Sequence, residues 1–403
     1  MRLCVDYALV GKELVLKKNV VFEISSGRIE SISVEDNRCD LYIPNSVALP
    51  PLCLAHSHPL DNALQDYGED RRLEELVSLR HGLKYQLLEN LDDVQLIEAT
   101  RLFFLDALRN GVLVLGVYAE FGSRGVNIVE RAKLQPWIKV YPQPEPSQCE
   151  DLDSYVYLAK RYRALGLDTL LLLSDRDLEE LGHVVNTYDV DVQVHVSETE
   201  NLWKARDFEK LRYLRRASVV HGTYLNDEAY RESVYRYCSA WIVCPRSNLY
   251  HEARLPSISV LMKHYGGGKP VAVGSDNAAW FSPSPLLEIS IAYALYRHEV
   301  ASLGRRELLQ FLLSACTYGC FEALGFGDVF VLRPGKPSVM LILAGQALRL
   351  SSNVLVTIVK RGFEMKRLLV VGDKVFDLEA LPTILDELMS ALRKVGEGSQ
   401  FLH

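Results

Sequence analysis

The sequence predicts an α/β protein: a (β/α)8 barrel with a small β-sandwich domain built from both chain ends. Two observations carry the barrel. Eight short, continuous apolar runs recur between helical stretches, and polar residues with metal-ligating side chains repeatedly close those runs. A third observation carries the small domain, since alternating apolar and polar segments cluster at the two ends of the chain. Continuous apolar runs suit strands buried on both faces, whereas alternation suits strands with one wet face.

At the N-terminal end, Val20-Val21-Phe22-Glu23-Ile24, the turn residues Ser25-Ser26-Gly27-Arg28 and the run Ile29-Glu30-Ser31-Ile32 read as a hairpin. Short strands are expected again at 329–332, 339–343, 354–359 and 368–373. Between these ends, the candidate barrel strands are 52–55, 112–117, 137–141, 169–173, 190–196, 218–220, 241–243 and 271–273. Helices are expected over 73–88, 94–111, 152–165, 178–188, 226–238 and 286–298, with a last amphipathic helix over 378–395 and a frayed tail from 396. The expected division is 1–47 with 328–375 for the small β domain, 48–327 for the barrel, and 376–403 for the terminal helix and tail.

Apolar residues at 48% and charged residues at 24% describe an ordinary globular chain of 403 residues with ample material for a core. A net charge of -7 argues against a nucleic-acid or anionic-membrane partner, which would need a clustered basic face. The first residues lack the basic and apolar regions of a secretory signal, and no run of eighteen apolar residues exists to form a membrane span. The eight cysteines include no C-x-x-C pair, and most are expected to be small buried hydrophobes in a reducing cytoplasm. Gly266-Gly267-Gly268-Lys269 lacks the spacing of a phosphate loop and reads as a turn.

The chemistry gathers at strand ends. In Leu54-Ala55-His56-Ser57-His58 an apolar strand closes by placing two imidazoles at i and i+2, on one side of the chain, where both rings can face one ion. Active sites of this architecture collect at the C-terminal ends of the strands. Four further ends carry polar residues: His195-Val196-Ser197-Glu198, His221-Gly222, Cys244-Pro245-Arg246-Ser247-Asn248 and Gly274-Ser275-Asp276-Asn277. The remaining histidines, His81, His183, His251, His264, His298 and His403, mostly fall on helices, loops or the tail and read as solvent-exposed. Arg246, Asn248, Asn277 and Trp280 follow catalytic strands and are candidates for lining a substrate pocket.

Taken in order, Pro50-Pro51-Leu52-Cys53-Leu54-Ala55-His56-Ser57-His58, His195-Val196-Ser197-Glu198-Thr199-Glu200, His221-Gly222-Thr223-Tyr224-Leu225, Cys244-Pro245-Arg246-Ser247-Asn248 and Gly274-Ser275-Asp276 resemble the amidohydrolase superfamily. More narrowly, they resemble its branch of chlorohydrolases, guanine and cytosine deaminases, and methylthioadenosine or S-adenosylhomocysteine deaminases. The resemblance implies that His56, His58, His195 and Asp276 ligate one divalent ion, zinc first and iron second. It makes Glu198 the proton shuttle, His221 a stabiliser of developing charge and Asp276 also the general base. Relatives with two metals usually bridge them with a lysine at the end of strand four. The run Thr169-Leu170-Leu171-Leu172-Leu173-Ser174-Asp175 offers none, so one metal is expected.

The implied activity is an aminohydrolase acting on an amino-substituted N-heterocycle such as a purine or pyrimidine. The same site could instead hydrolyse a cyclic amide, an imidazolone-like or a chloro-substituted ring, because substrate is set by loops. A scaffold without activity is the third reading, and a homo-oligomer stays open. Two segments depart from the family pattern: the acidic, amide-rich loop 59–68 after the histidine pair, and Gly335-Lys336-Pro337-Ser338-Val339 in the β region.

Overall fold

The structure, a computed structural model, describes residues 1–34, 38–79, 81–299 and 304–397. Four strands open the chain: β1 (Arg2–Val10), β2 (Val15–Ser25), β3 (Arg28–Val34) and β4 (Leu41–Leu49). Strands β2 and β3 form the expected hairpin, with Ile24 opposite Ile29 and Ser25 opposite Arg28. Its two-residue connection, Ser26-Gly27, has φ of 50° and 74°, the left-handed pair that matches the twist of a tight hairpin.

Eight parallel strands follow in two sheets, and the spans between them are mostly helical. The first sheet holds β5 (Leu52–Leu54), β7 (Val112–Ala119) and β8 (Trp137–Pro142); β6 (Ser57–His58) stands outside it. The second holds β9 (Ala164–Leu167), β10 (Asp191–Val196), β11 (Ala217–His221), β12 (Cys238–Val243) and β13 (Val271–Val273), each paired with its neighbour in chain order. Every residue of β7, β11 and β13 is buried, as the continuous apolar runs require. The amide of Ala55, just beyond β5, donates to the carbonyl of Val273 at 2.8 Å, tying the first of these strands to the last. Two-residue β14 (Asp276–Asn277) then pairs with β6, Asp276 opposite Ser57 and Asn277 opposite His58. That register sets the aspartate between the two histidines of the opening motif.

The helices between strands carry their own start signals. Asp92 caps Asp93–Arg109 by accepting from the Gln95 amide, while the Gln95 side chain accepts from the Asp92 amide. Ser174 caps Asp175–Thr187 in the simpler way.

The chain closes with β15 (Val339–Ala344), β16 (Lys366–Val371) and β17 (Lys374–Asp377). These do not form a separate layer. They join the first four strands in a single seven-stranded sheet of order β17-β16-β15-β4-β1-β2-β3. One face of this sheet closes over its own cluster, including Leu3, Val5, Phe22, Met340 and Ile342, while Leu9, Val47, Leu341 and Leu369 face the main core. The helix Leu381–Glu397 packs on β16 and β17, and the tail from residue 398 lies outside the described residues.

Several expectations fail for local reasons. The strand placed at 169–173 begins five residues earlier, at β9, so the residue that closes it is Asp168. The β-branched run at 354–359 is part of the helix Val354–Arg361: Val354, Leu355, Ile358 and Val359 form its buried stripe, and the Asn353 side chain caps it. Residues 329–332 form no strand, and the helix expected over 73–88 breaks into Leu73–Val77 and Leu83–Glu89. The break falls at Gly82, where a Cβ would lie 2.6 Å from the carbonyls of Leu76 and Ser78. His264 is fully buried, edge-on to Trp241, and not solvent-exposed; His403 lies outside the described residues.

Four cysteines also depart from expectation, forming the disulfides Cys4–Cys39 and Cys53–Cys320, while Cys149, Cys238, Cys244 and Cys316 are free and buried. Among the described residues no helix is long and apolar enough to cross a membrane.

Candidate metal centre

The functional side chains stand where strands stop and the backbone reverses. Ser197, His221 and Asp276 have φ of 47°, 64° and 61°, left-handed conformations that cost energy in residues other than glycine and that concentrate at functional sites. Gly222, at φ 63°, sits against the indole of Trp241, whose Nε1 donates to the His221 carbonyl at 3.0 Å. The turn after β11 is thereby clamped and the His221 ring projects inward.

Four imidazoles converge, and each has its Nδ1 facing an oxygen on the outside. His56 Nδ1 meets Gln193 Oε1 at 3.2 Å, His58 Nδ1 meets Glu120 Oε1 at 2.6 Å, and His221 Nδ1 meets Asn248 Oδ1 at 2.8 Å. His195 Nδ1 lies 3.7 Å from Asp168 Oδ1. A carboxylate or amide oxygen can only accept, so these partners favour N–H at Nδ1 and leave the Nε2 lone pairs pointing inward.

The inner distances are short. His56 Nε2 lies 3.2 Å from His195 Nε2 and 3.4 Å from Asp276 Oδ1, and His58 Nε2 lies 3.5 Å from the same carboxylate oxygen. Ser247 Oγ donates to the other oxygen, Oδ2, at 2.5 Å. Donor atoms of His56, His58 and Asp276 all lie within 4.8 Å of one another, as do those of His56, His195 and His221, so His56 is the shared vertex. In a tetrahedral zinc site, bonds of about 2.0–2.1 Å put neighbouring ligand atoms about 3.3 Å apart. The measured separations of 3.2 to 3.5 Å fit that spacing.

Electrostatics agree with the donor set. Burial holds His56 down at about 4 and pushes His58 and His195 down as well, so these imidazoles are neutral at ordinary pH, as ligation requires. Asp276 is held well below the usual carboxylate range; burial opposes this, but the His56 hydrogen bond and the neighbouring imidazoles outweigh it. Beyond Asp276, His221 Nε2 lies 3.3 Å from Glu198 Oε1. Burial pushes Glu198 up to about 7, and His221 is raised because Glu198 and Asp276 outweigh its own burial.

A cleft opens over these groups, walled by Leu73, Val77, Tyr85 and Trp280 and lined also by Lys84, Asp168 and Asn277. Of the four residues expected to line a pocket, Asn277 and Trp280 do so; Trp280 stacks on Tyr67 with centroids 5.0 Å apart. The other two are engaged elsewhere. Arg246 donates through its backbone amide and Nε to the buried Glu288, at 3.0 and 2.6 Å, and through its guanidinium to the Ser282 carbonyl. Asn248 holds His221 and donates to Thr223 Oγ1 at 3.0 Å.

Sequence reasoning missed Glu120, Asp168, Gln193, Lys84 and Asp61. Glu120 directly follows β7 and Asp168 directly follows β9, so the rule that found the histidines would have found both once the strands were placed. Gln193 is two residues before His195 on the same strand face. Lys84 and Asp61 belong to helical turns and gave no such signal.

No protein-family model matches this chain. Solved structures show that its mixed α/β fold is one shared by hydrolytic enzymes. Guanine deaminase of E. coli superposes with a TM-score of 0.72 at 15% identity, over 93% of this chain and 98% of that one. An adenosine deaminase from Xanthomonas campestris with bound zinc superposes at 0.68 and 16% identity, over 98% of each chain. An atrazine chlorohydrolase from Arthrobacter aurescens complexed with zinc gives 0.71 and 16%, over 97% and 99%. By sequence, the chain is 25% identical to an uncharacterized protein of Methanocaldococcus jannaschii over 374 residues, 88% of this chain and 93% of that protein. It is 31% identical over 121 residues, 30% of each, to a Methanothermobacter thermautotrophicus protein provisionally named an aminohydrolase.

Proposed function

We propose that this protein is a member of the amidohydrolase superfamily, a metal-dependent aminohydrolase that replaces an exocyclic amine on an N-heterocyclic ring with oxygen. The observation that carries this reading is the convergence of three neutral Nε2 atoms and Asp276, with an acid of raised pKa two side chains away. In this reading His56, His58, His195 and Asp276 hold one divalent ion, zinc before iron. The eight parallel strands form one closed (β/α)8 barrel over 48–327; residues 1–47 with 328–375 form the small β domain, and 376–403 the appended helix and tail. The Ala55–Val273 hydrogen bond supports that closure.

A divalent ion bound there lowers the pKa of water, supplying a nucleophile at neutral pH. The chain's residues do the remainder. Asp276, whose Oδ2 is steadied by Ser247, accepts the proton that the attacking water gives up. Glu198, raised by burial to about 7 and so still carrying its proton in about half of the molecules at neutral pH, donates to a ring nitrogen and activates the C=N bond. His221, held through Nδ1 by Asn248, stabilises the developing charge; the proton taken up by Asp276 passes to the amine, which leaves as ammonia when the C–N bond breaks, and the proton of the new hydroxyl returns to Glu198 as the carbonyl forms. Trp280 and Tyr85 offer aromatic faces to a planar ring, and Asp168 and Asn277 offer polar atoms to its edge.

The test is metal content together with ammonia release across a panel of amino-substituted purines, pyrimidines and triazines. About one ion per chain, ammonia from at least one compound and loss of that activity in His195→Ala are expected. Chloride release from chloro-substituted rings without ammonia from any amine would replace the deaminase reading with the chlorohydrolase one. Less than a fraction of an ion per chain after reconstitution would replace both with the scaffold.

A further inference from the structure

Behind His58, on the side of its Nδ1, three ionisable side chains from three separate elements meet out of water. Asp61 comes from the helical turn Pro59–Ala63, Lys84 from the helix Leu83–Glu89, and Glu120 from the end of β7. Their exposures are 0%, 2% and 0%. Lys84 Nζ lies 2.6 Å from Glu120 Oε1, 2.8 Å from Asp61 Oδ2 and 3.3 Å from His58 Nδ1, while Glu120 Oε1 is 2.6 Å from that same Nδ1.

We propose that Glu120, Lys84 and Asp61 act as one positioning unit that fixes the tautomer of His58 and strengthens its Nε2 as a ligand. The inference rests on the reading of His58 as a metal ligand.

Three arguments support it. Taking ions out of water costs several kcal/mol each, and apolar side chains of similar volume would fill the same space at lower cost, so architecture alone does not account for the trio. Lys84 has only protons to give, and Glu120 only oxygens to offer. Glu120 therefore receives both the ammonium and the Nδ1–H, which leaves Nε2 unprotonated and pointing at Asp276. All three side chains are buried, so bulk solvent does not compete with Glu120 for the Nδ1–H.

Lys84 has a second effect. The donor atoms of His58, Asp61 and Glu120 lie within 4.8 Å of one another, a spacing that could itself accept an ion. The ammonium fills that position and reserves the Nε2 side for the metal.

The experiment measures zinc affinity, by competition with a chromophoric chelator, for the full-length wild type, Glu120→Gln and Glu120→Asp. Glu120→Gln should bind zinc about 10–100-fold more weakly, the usual consequence of losing such a partner, and Glu120→Asp should recover part of the loss. A folded Glu120→Gln protein that binds zinc within about twofold of wild type would overturn the proposal.

Should Glu120→Gln fail to fold, the tautomer of His58 is read in the metal-free wild type by histidine-selective 15N NMR, with His58→Gln identifying the resonance. A proton on Nδ1 is expected, and a proton on Nε2 overturns the proposal. A wild type that binds no zinc overturns the metal reading itself, and this inference with it, whereas unequal outcomes between wild type and variants concern the positioning unit alone.

Discussion

Replacing Glu198 with glutamine tests the proposed chemistry at its proton donor. The side chain is 14% exposed and 3.3 Å from His221 Nε2. Burial is the largest influence on it and disfavours the carboxylate; Asp276, Asp168 and Glu252 act in the same direction, and His221 opposes them, leaving Glu198 at about 7. An acid whose pKa is raised keeps its proton up to that pH. Around pH 5 nearly all of the protein carries the donor; near pH 7 about half does, and at pH 9 about one part in a hundred.

A rate limited by that donor therefore falls about tenfold per pH unit on the alkaline side. A divalent cation in the adjacent site favours the carboxylate and moves this limb to lower pH, which can be measured by comparing the metal-free titration with the activity profile. Glutamine keeps the shape and a hydrogen bond but cannot release a proton, so kcat/KM should drop by about 10²–10⁴ and the alkaline limb should vanish. The assay is ammonia release by zinc-loaded protein from the best compound of the panel, between pH 5 and 9.5. Glu198→Gln activity within tenfold of wild type, or an unchanged alkaline limb in the variant, would refute the assignment.

Three other substitutions probe the surrounding structure. Arg246→Ala leaves Glu288, whose side chain is 1% exposed, charged without its partner; urea denaturation should show a loss of about 3–5 kcal/mol at neutral pH, shrinking as Glu288 takes up a proton at lower pH. Unfolding without reductant should expose four reactive thiols, those of Cys149, Cys238, Cys244 and Cys316, with all eight cysteines reacting only after reduction. Replacing Cys53 and Cys320 together by serine opens a link between residues 267 apart in sequence and should lower stability by up to about 5 kcal/mol. Gly222→Ala introduces a Cβ about 2.5 Å from the Trp241 indole at a left-handed position; displacement of the neighbouring His221 should lower kcat by about 10–100-fold while zinc stoichiometry is unchanged.

The site was most legible where strand geometry is rigid. His56, His58, His195, His221 and Asp276 each end or directly follow an apolar run, and a residue in that place has its position dictated by the sheet. Legibility failed where a run could be placed in two registers. Leu165-Gly166-Leu167 and Leu170-Leu171-Leu172-Leu173 are both apolar enough for a strand, and choosing the second hid Asp168. It failed again where a β-branched run met a helical burial stripe, as at Val354–Arg361, because packing overrides local preference. The groups behind His58 were out of reach for another reason: Lys84 and Asp61 meet Glu120 only through tertiary folding, and nothing in their local sequence marks them. Arg246 and Asn248 followed a catalytic strand as expected, yet proximity in sequence did not fix whether they face the cleft or brace it.

The seven-stranded sheet sets an order on how the protein can be made. Strand β4 pairs on one side with β1 and on the other with β15, Leu49 opposite Leu341, so its second edge stays open until nearly all of the chain has been synthesised. Only two residues separate β4 from β5, which leads directly into His56 and His58. Contacts between segments so distant in sequence form slowly, because chain entropy opposes them until late. During synthesis the ribosome-bound chain can assemble its central strands first, with the segment that leads into His56 anchored last. Truncation near the C-terminus is therefore expected to disturb a site almost three hundred residues upstream.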